Sequence, residues 1–501
     1  MRILVLCTTA LLFFGCNQPS PEAQLHELMQ SYHEKSLEMN PLNATFQGDS
    51  RYNDYLPNYL SDEVITAQKN FYTKTLKALN AIEDKNLNDK DKLSKKILRW
   101  ECETTLMGME FPAELLPIDQ MWSLQLTMGQ LAAGSSAQPF KTVEDYTNWL
   151  SRVDDYVEWL KSAKTRMKEG ITQNVVLPKA LIRKVVPQLK AITEPDLDKN
   201  IFYTPVKNFP EDFTTAQKDS LSAAYAEMVN TKIIPAYQEV ADFMETTYLE
   251  AGRNSSGFGA YSFGENYYNY AIRLYTTTDM TADEIHQLGL SEVARLRNEM
   301  ERIKEQVSFK GDLNAFFEHV RTLPKMMPFD DPQQVIDNFN AIHDKMKAKV
   351  DALFELQPKT PFEVRRVEAF REKSAAAHYN PGSLDGTRPG VFYVPIPNVK
   401  EYNIFSDEDL FLHEAIPGHH FQISLQQENT DLPDFRKTLW YSAYGEGWAL
   451  YCESLGAELG LYDDPYQYFG MLSAEMHRAI RLVVDTGIHT KGWTREQAIA
   501  Y

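Results

Sequence analysis

Five of the 11 histidines lie at or beyond His413: His413, His419, His420, His477 and His489. The densest stretch reads Leu412-His413-Glu414-Ala415-Ile416-Pro417-Gly418-His419-His420-Phe421-Gln422. A His-Glu pair followed by further histidines on a helix is the layout of zinc peptidases. There, two imidazoles hold the metal and the Glu beside the first deprotonates its water. The bland alternative is a helix that merely carries several histidines. Ser406-x-x-Asp409 just upstream is an N-terminal capping signature, which places His413 near the second turn of a helix.

The spacing departs from the usual motif, where the second His stands at i+4. Here that position is Pro417, which removes the hydrogen bond to the His413 carbonyl and forces a distortion. At about 100° per residue an ideal helix puts His419 roughly 120° off the face of His413. His420 would be nearly in line but roughly 10 Å further along the axis. Zinc–nitrogen bonds of about 2.0–2.1 Å require far closer nitrogens. A widened, π-like turn at Pro417-Gly418 is expected to bring His419 round beside His413. His420 is the rival ligand.

A second helix supplies carboxylates. Gly445-Glu446-Gly447-Trp448-Ala449-Leu450-Tyr451-Cys452-Glu453 is apolar nearly all round, as a buried helix would be. Glu446 and Glu453 are two turns apart and share a face. Buried carboxylates are costly unless paired or bound to metal. A third zinc ligand plus a carboxylate that orients a ligand His would meet that cost; two core carboxylates satisfied by Arg is the alternative. A third helix carries His477, Arg481 and Asp485 at four-residue steps, with Arg478 alongside. These cations could hold a substrate carboxylate or an oxyanion. Equally, Arg481 and Asp485 could form an ion pair that ties helices together.

The elements that must position these groups read mostly as amphipathic helix. Thr281-x-x-Glu284 is a capping box, followed by the apolar stripe Ile285, Leu288, Val293, Leu296, Met300, Ile303 and Val307. Similar patterns cover Leu25 to Met39, Asp62 to Ile82, Val143 to Met167 and Leu221 to Leu249. The glycines from Gly252 to Gly264 fit neither dinucleotide nor Walker spacing and read as a connection between two helical halves. Gly382 to Pro397 breaks the pattern, and its flanking prolines confine Val391 to Val394 to an edge strand or extended loop. An edge strand could pair with an extended peptide; an ordinary surface hairpin is the simpler reading.

Composition narrows the class. Asp plus Glu outnumber Lys plus Arg by 70 to 51, a net −19 that argues against a nucleic-acid partner. Hydrophobic residues make up 43% and charged residues 24%, as in ordinary globular proteins. Arg2 and the apolar run to Phe14 have signal-peptide length, too short for a membrane span. Leu12-Phe13-Phe14-Gly15-Cys16 resembles a bacterial lipoprotein cleavage box. Residues 1–15 are therefore expected to be a signal peptide, with Cys16 lipidated and 16–24 a tether. Asn17 in place of Asp implies sorting to the outer membrane, hence a periplasmic lipoprotein; a plain secretion signal is the alternative. With Cys7 lost and Cys16 lipidated, Cys102 and Cys452 read as separate buried thiols. No Gly-x-Ser-x-Gly nucleophile pattern competes with the histidines.

His413-Glu414-x-x-Pro417-Gly418-His419-His420-x-Gln422, Glu446-Gly447-Trp448-Ala449-Leu450-Tyr451-x-Glu453 and Val484-Asp485-Thr486-Gly487-x-His489 resemble the bacterial family catalogued as domain of unknown function 885. Arg388-Pro389-Gly390-Val391-Phe392-Tyr393-Val394, the stretch from Tyr275 to Leu290, and Asn40-Pro41-Leu42-Asn43-Ala44-Thr45 match too. That family is grouped with the glutamate-type zinc peptidases, large helical proteins with a deep cleft. The resemblance implies His413, His419 and Glu446 as ligands of one Zn2+, Glu414 as base and Glu453 behind them, with Asp485 and His489 nearby. It also implies that Val391 to Val394 lie beside the substrate, with Tyr393, His477, Arg478 and Arg481 available to catalysis. The expected fold is mainly α, a two-lobed zincin-like body (25–255 and 256–501) with a small β edge element. Thr494-x-x-Gln497 opens a helix that stops at Tyr501, whereas the family continues, so the chain reads as truncated. The expected activity is hydrolysis of short peptides. A non-catalytic peptide-binding lipoprotein and a zinc amidase acting on a cell-wall amide are the alternatives.

Overall fold

The computed structural model describes residues 19–134, 136–367, 372 and 375–501. The expected signal peptide, Cys16 and Asn17 lie outside the described residues. The fold is mainly α, and each helix used below follows from local chemistry. Helix α1 (Pro21–Met39) starts where the Ser20 hydroxyl accepts the Ala23 N–H, with Pro at its first turn. It buries Leu25, Met29 and Tyr32 on one stripe. Short helix α2 (Pro41–Gln47) follows at once. Helix α3 (Asp89–Gly108) packs with α1 through Leu98 and Cys102, and Phe435 from far along the chain joins that core.

The largest core forms round α4 (Val143–Gln173), whose Trp149, Val153, Tyr156, Leu160 and Met167 are buried. Arg152 lies among them, fully buried. It donates to the Tyr55 carbonyl (3.2 Å), the Thr45 hydroxyl (3.1 Å), Gln138 Oε1 (2.6 Å) and the Tyr52 carbonyl. The helix expected over Leu221 to Leu249 runs as Thr215–Met228 and Ile234–Phe243, with widened π turns at Val229–Ile233 and Met244–Tyr248.

Helix α5 (Ala282–Gln306) carries both bonds of the Thr281/Glu284 capping box. Helix α6 (Pro332–Leu353) buries Val335, Phe339 and Met346 against a three-stranded sheet. Its strands are β1 (Phe362–Arg366), β2 (His378–Asn380) and β3 (Gly390–Val394), in the order β1-β3-β2. The parallel β1–β3 pair matches Val364 to Phe392, and the antiparallel β2–β3 pair matches Tyr379 to Phe392. Val391 to Val394 are thus the central strand, not an edge. Pro389 and Pro395 sit just outside β3, so all five of its residues keep an N–H for the ladders.

Four helices then build the region of the histidines: α7 (Asp407–Glu414), α8 (His419–Glu428), α9 (Ser442–Ser454) and α10 (Pro465–Thr490). Phe411 and Leu412 of α7 join Phe392 and Val394 in one core. Phe469, Leu472 and Ala479 of α10 pack on Leu296 and Met300 of α5. Cys102 and Cys452 are both free and buried. No helix among the described residues is long and apolar enough to cross a membrane.

Candidate metal centre

The Pro-Gly insertion does not widen a turn; it ends one helix and starts another. α7 stops at Glu414, Ala415 leaves helical backbone angles, the Ile416–Pro417 peptide is cis, and α8 begins at His419. Gly418 is required here, because a Cβ would lie 1.9 Å from the His413 carbonyl oxygen. The Pro417 carbonyl accepts the Trp448 indole N–H (2.7 Å) and faces the Cys452 thiol (3.4 Å), fastening the break to α9. At the other end of α7 the Ser406 side chain makes no capping bond. Asp409, its expected partner in the cap, is buried beside Glu453 instead.

Across this break the two imidazoles meet. Their ring centroids are 4.7 Å apart and nearly perpendicular. Glu446 Oε2 lies 3.3 Å from His413 Nε2 and 3.7 Å from His419 Nε2. One ligand atom from each residue falls within 4.8 Å of the others. Tetrahedral zinc with bonds of about 2.0–2.1 Å separates its ligand atoms by about 3.3–3.4 Å, so this donor set fits the ion. α9 was expected to be buried all round; instead Glu446 is half exposed, and Tyr444 and Tyr451 are open as well. Two positions apart on a helix, Tyr444 and Glu446 stand on nearly opposite sides, so α9 meets solvent on both.

Behind the ligands, His413 Nδ1 donates to Glu453 Oε1 (2.6 Å), which leaves Nε2 facing Glu446. Arg478 Nη2 donates to the other oxygen of Glu453. Arg478, expected to face a substrate, is therefore spent on Glu453. Burial opposes charge on His413, but the bonds to Glu446 and Glu453 outweigh it and push it up to about 10. Burial, with His413 beside it, pulls His419 down to about 4, and its buried Nδ1 has no partner. Hydrogen bonding to His413 holds Glu446 below the usual carboxylate range. Glu414 is raised to about 7, mainly by burial, with Glu446 and Glu453 adding to the shift. The backbone N–H of Tyr379, the middle residue of edge strand β2, lies near it and works against that rise.

Other expected site residues lie elsewhere. His420 is turned away; the Tyr379 hydroxyl bonds its Nδ1 at 2.9 Å, and burial lowers it to about 4. It is not part of the His413, His419 and Glu446 cluster. His477 and Arg481 are exposed and bond to none of the cluster. Asp485 pairs with neither Arg481 nor a ligand; it accepts the Tyr268 hydroxyl at 2.6 Å. His489 Nδ1 accepts the Phe258 N–H, and its ring is stacked on Phe258 and Tyr268. Tyr393 stacks on His378 across the sheet, 5.2 Å between centroids.

Sequence reasoning missed Tyr379, Asp409 and Trp440, whose ring lies 5.6 Å from that of His419. For Asp409 a signal existed: it stands four residues before His413, on the same helical face. Nothing local marked Tyr379 or Trp440. One further group of similar type occurs among the described residues, Glu22, His26 and Asp91, also within 4.8 Å. There His26 Nε2 bonds Asp91 directly at 2.8 Å.

Fold and cluster together define a mainly helical protein with a two-histidine, one-carboxylate centre beside a small sheet. The chain belongs to the family described as bacterial protein of unknown function (DUF885), which matches residues 41–501. It is similar to a solved structure of a candidate lipoprotein from Colwellia psychrerythraea, at 26% identity and a TM-score of 0.89. That match covers 96% of this chain and 86% of the other. A second, a candidate lipoprotein of unknown function from Shewanella oneidensis, shares the fold at 17% identity and a TM-score of 0.70. It covers 95% of this chain and 85% of that one. No curated protein matches.

Proposed function

We propose that this chain is a zinc-dependent peptidase of short peptides, a periplasmic lipoprotein anchored to the outer membrane by lipid on Cys16. The observation that carries the catalytic part is the convergence of His413 Nε2, His419 Nε2 and Glu446 Oε2 beside Glu414. The candidate-lipoprotein description of the Colwellia structure and the Gly15-Cys16 segment support the anchor.

His413, His419 and Glu446 would hold the ion, which would supply Lewis-acid polarisation of a carbonyl and activation of water. Glu414, with its affinity for a proton near neutrality, accepts a proton from the attacking water and returns it to the leaving amine. Glu453 and Arg478 keep the His413 ring turned so that Nε2 faces the ligands. Of the two edge strands, β2 is the one whose backbone lies near Glu414, so an extended substrate would pair along it.

The test is a peptide-library digest read by mass spectrometry, using zinc-reconstituted protein and Glu414→Gln. Cleavage that falls about 100-fold or more in the variant, with zinc content unchanged, is the expected result. A protein that retains no zinc, or a variant with full activity, overturns the proposal. Peptide retention without cleavage would instead favour a binding lipoprotein.

A further inference from the structure

A recess of about 580 Å3 opens on the face of the sheet away from its core. Val391, Tyr393 and Asn380 form its floor, Phe46 at the end of α2 stands in its wall, and Trp440 closes one side. It adjoins the metal centre at two points. Trp440 packs on His419. Asn380 directly follows Tyr379, whose backbone lies near Glu414. A chain extended along β2 advances about 3.3 Å per residue, so one or two residues separate the reacting position from the recess. The volume lies within the roughly 300–1,000 Å3 usual for small-ligand pockets, enough for the end of a peptide and too small for a folded partner.

The charges in the recess are not balanced. Arg365 is bonded to Glu363, and Lys437 is paired with Asp434. Arg388 is half-buried and has no carboxylate partner among the described residues. Its Nη2 reaches only the Phe46 carbonyl, at 3.3 Å. Its charge is felt at the Tyr379 phenol, which fixes it close to β2. The acidic residue of the recess, Glu101, is bonded to the Tyr441 hydroxyl and is pushed towards its neutral form by burial. A partly desolvated guanidinium without a counter-charge is costly, and its planar fork matches a carboxylate.

Resting on the peptidase reading, we infer that Arg388 binds a carboxylate of the substrate, in the recess beside β2, and so selects peptides with an acidic group a short distance from the cleaved bond. The carboxylate can come from the chain end or from a side chain.

The experiment measures binding to the full-length, zinc-reconstituted Glu414→Gln protein by tryptophan fluorescence, with calorimetry as a second readout. The probes are Ala-Leu-Ala-Ala, its C-terminal amide, and the amide of Ala-Leu-Ala-Glu. Expected is at least tenfold tighter binding of one or both carboxylate-bearing probes than of the plain amide. Arg388→Gln should remove that ratio, and Arg388→Lys should keep part of it, with melting temperatures checking that each variant folds. The free-acid and Glu probes tell a chain end from a side chain. A ratio near one in the parent, or one that survives Arg388→Gln, overturns the inference. If the ratio behaves as expected while the native protein cleaves nothing, the carboxylate site stands and the peptidase reading falls.

Discussion

Among the described residues two clusters of His and carboxylate groups differ sharply in character. Glu22, His26 and Asp91 lie within 4.8 Å of one another, and so do His413, His419 and Glu446. Yet the His26 side chain is 53% exposed, against 14% for His413 and 9% for His419. The N-terminal imidazole spends its Nε2 on Asp91. In the C-terminal cluster, a carboxylate behind the ring takes Nδ1 and an arginine holds that carboxylate. Short range alone therefore does not distinguish the two clusters. A desolvated setting, and a group that turns the ring, separate the two cases.

Several substitutions would break or sharpen this contrast. The largest effect is expected for His413→Ala or His419→Ala, each lowering zinc affinity by more than about 100-fold in chelator competition, because a ligand rather than an outer partner is lost. His26→Ala should leave that affinity unchanged; if it does not, the N-terminal cluster is the stronger site and the contrast fails. Next come Glu453→Gln and Arg478→Met, each expected to weaken zinc by about 10–100-fold. Arg478→Lys should restore part of the loss, whereas a purely structural arginine would show equal effects for both replacements.

A third expectation concerns the helix under the C-terminal cluster. Asp407, at the start of α7, accepts bonds from Tyr402 and Asn338 and is raised by burial to about 8. Unfolded, an Asp releases its proton near 3.9. Its stabilising effect is thus present below about pH 4 and lost as pH rises towards 8. Denaturant titrations across that window should show a smaller loss of stability in Asp407→Asn. An identical slope would contradict the buried, protonated form. The smallest effect belongs to the exposed pair: His26→Ala should change stability by less than about 1 kcal/mol in the same titrations.

How much of this was legible in the sequence follows from the range of each interaction. Glu446 and Glu453 sit two turns apart on one helix, and helical periodicity alone puts both on the side that meets His413. The break between α7 and α8 was legible as a disturbance at Pro417, but its form was not. Whether a chain widens or restarts depends on what holds the break, here the Trp448 indole on the Pro417 carbonyl, 31 residues away. Strand order was hidden for a similar reason, since Pro389 and Pro395 look alike whether they bound an edge or a central strand. Arg478 was seen as a cation near the site; its partner is set by how α9 and α10 pack, which no local pattern encodes.

Arg152 has an effect well away from its own position. Its guanidinium ties Thr45 of α2 to the floor of the largest core, and the next residue of α2, Phe46, is a wall of the recess that Arg388 serves. The shape of that recess is therefore set from inside another part of the molecule, by a keystone that touches no ligand. Variation at residue 152 should alter the shape of that recess and, on the proposed peptidase reading, which peptides fit. On that reading, selectivity is tuned from a helix core, out of reach of solvent.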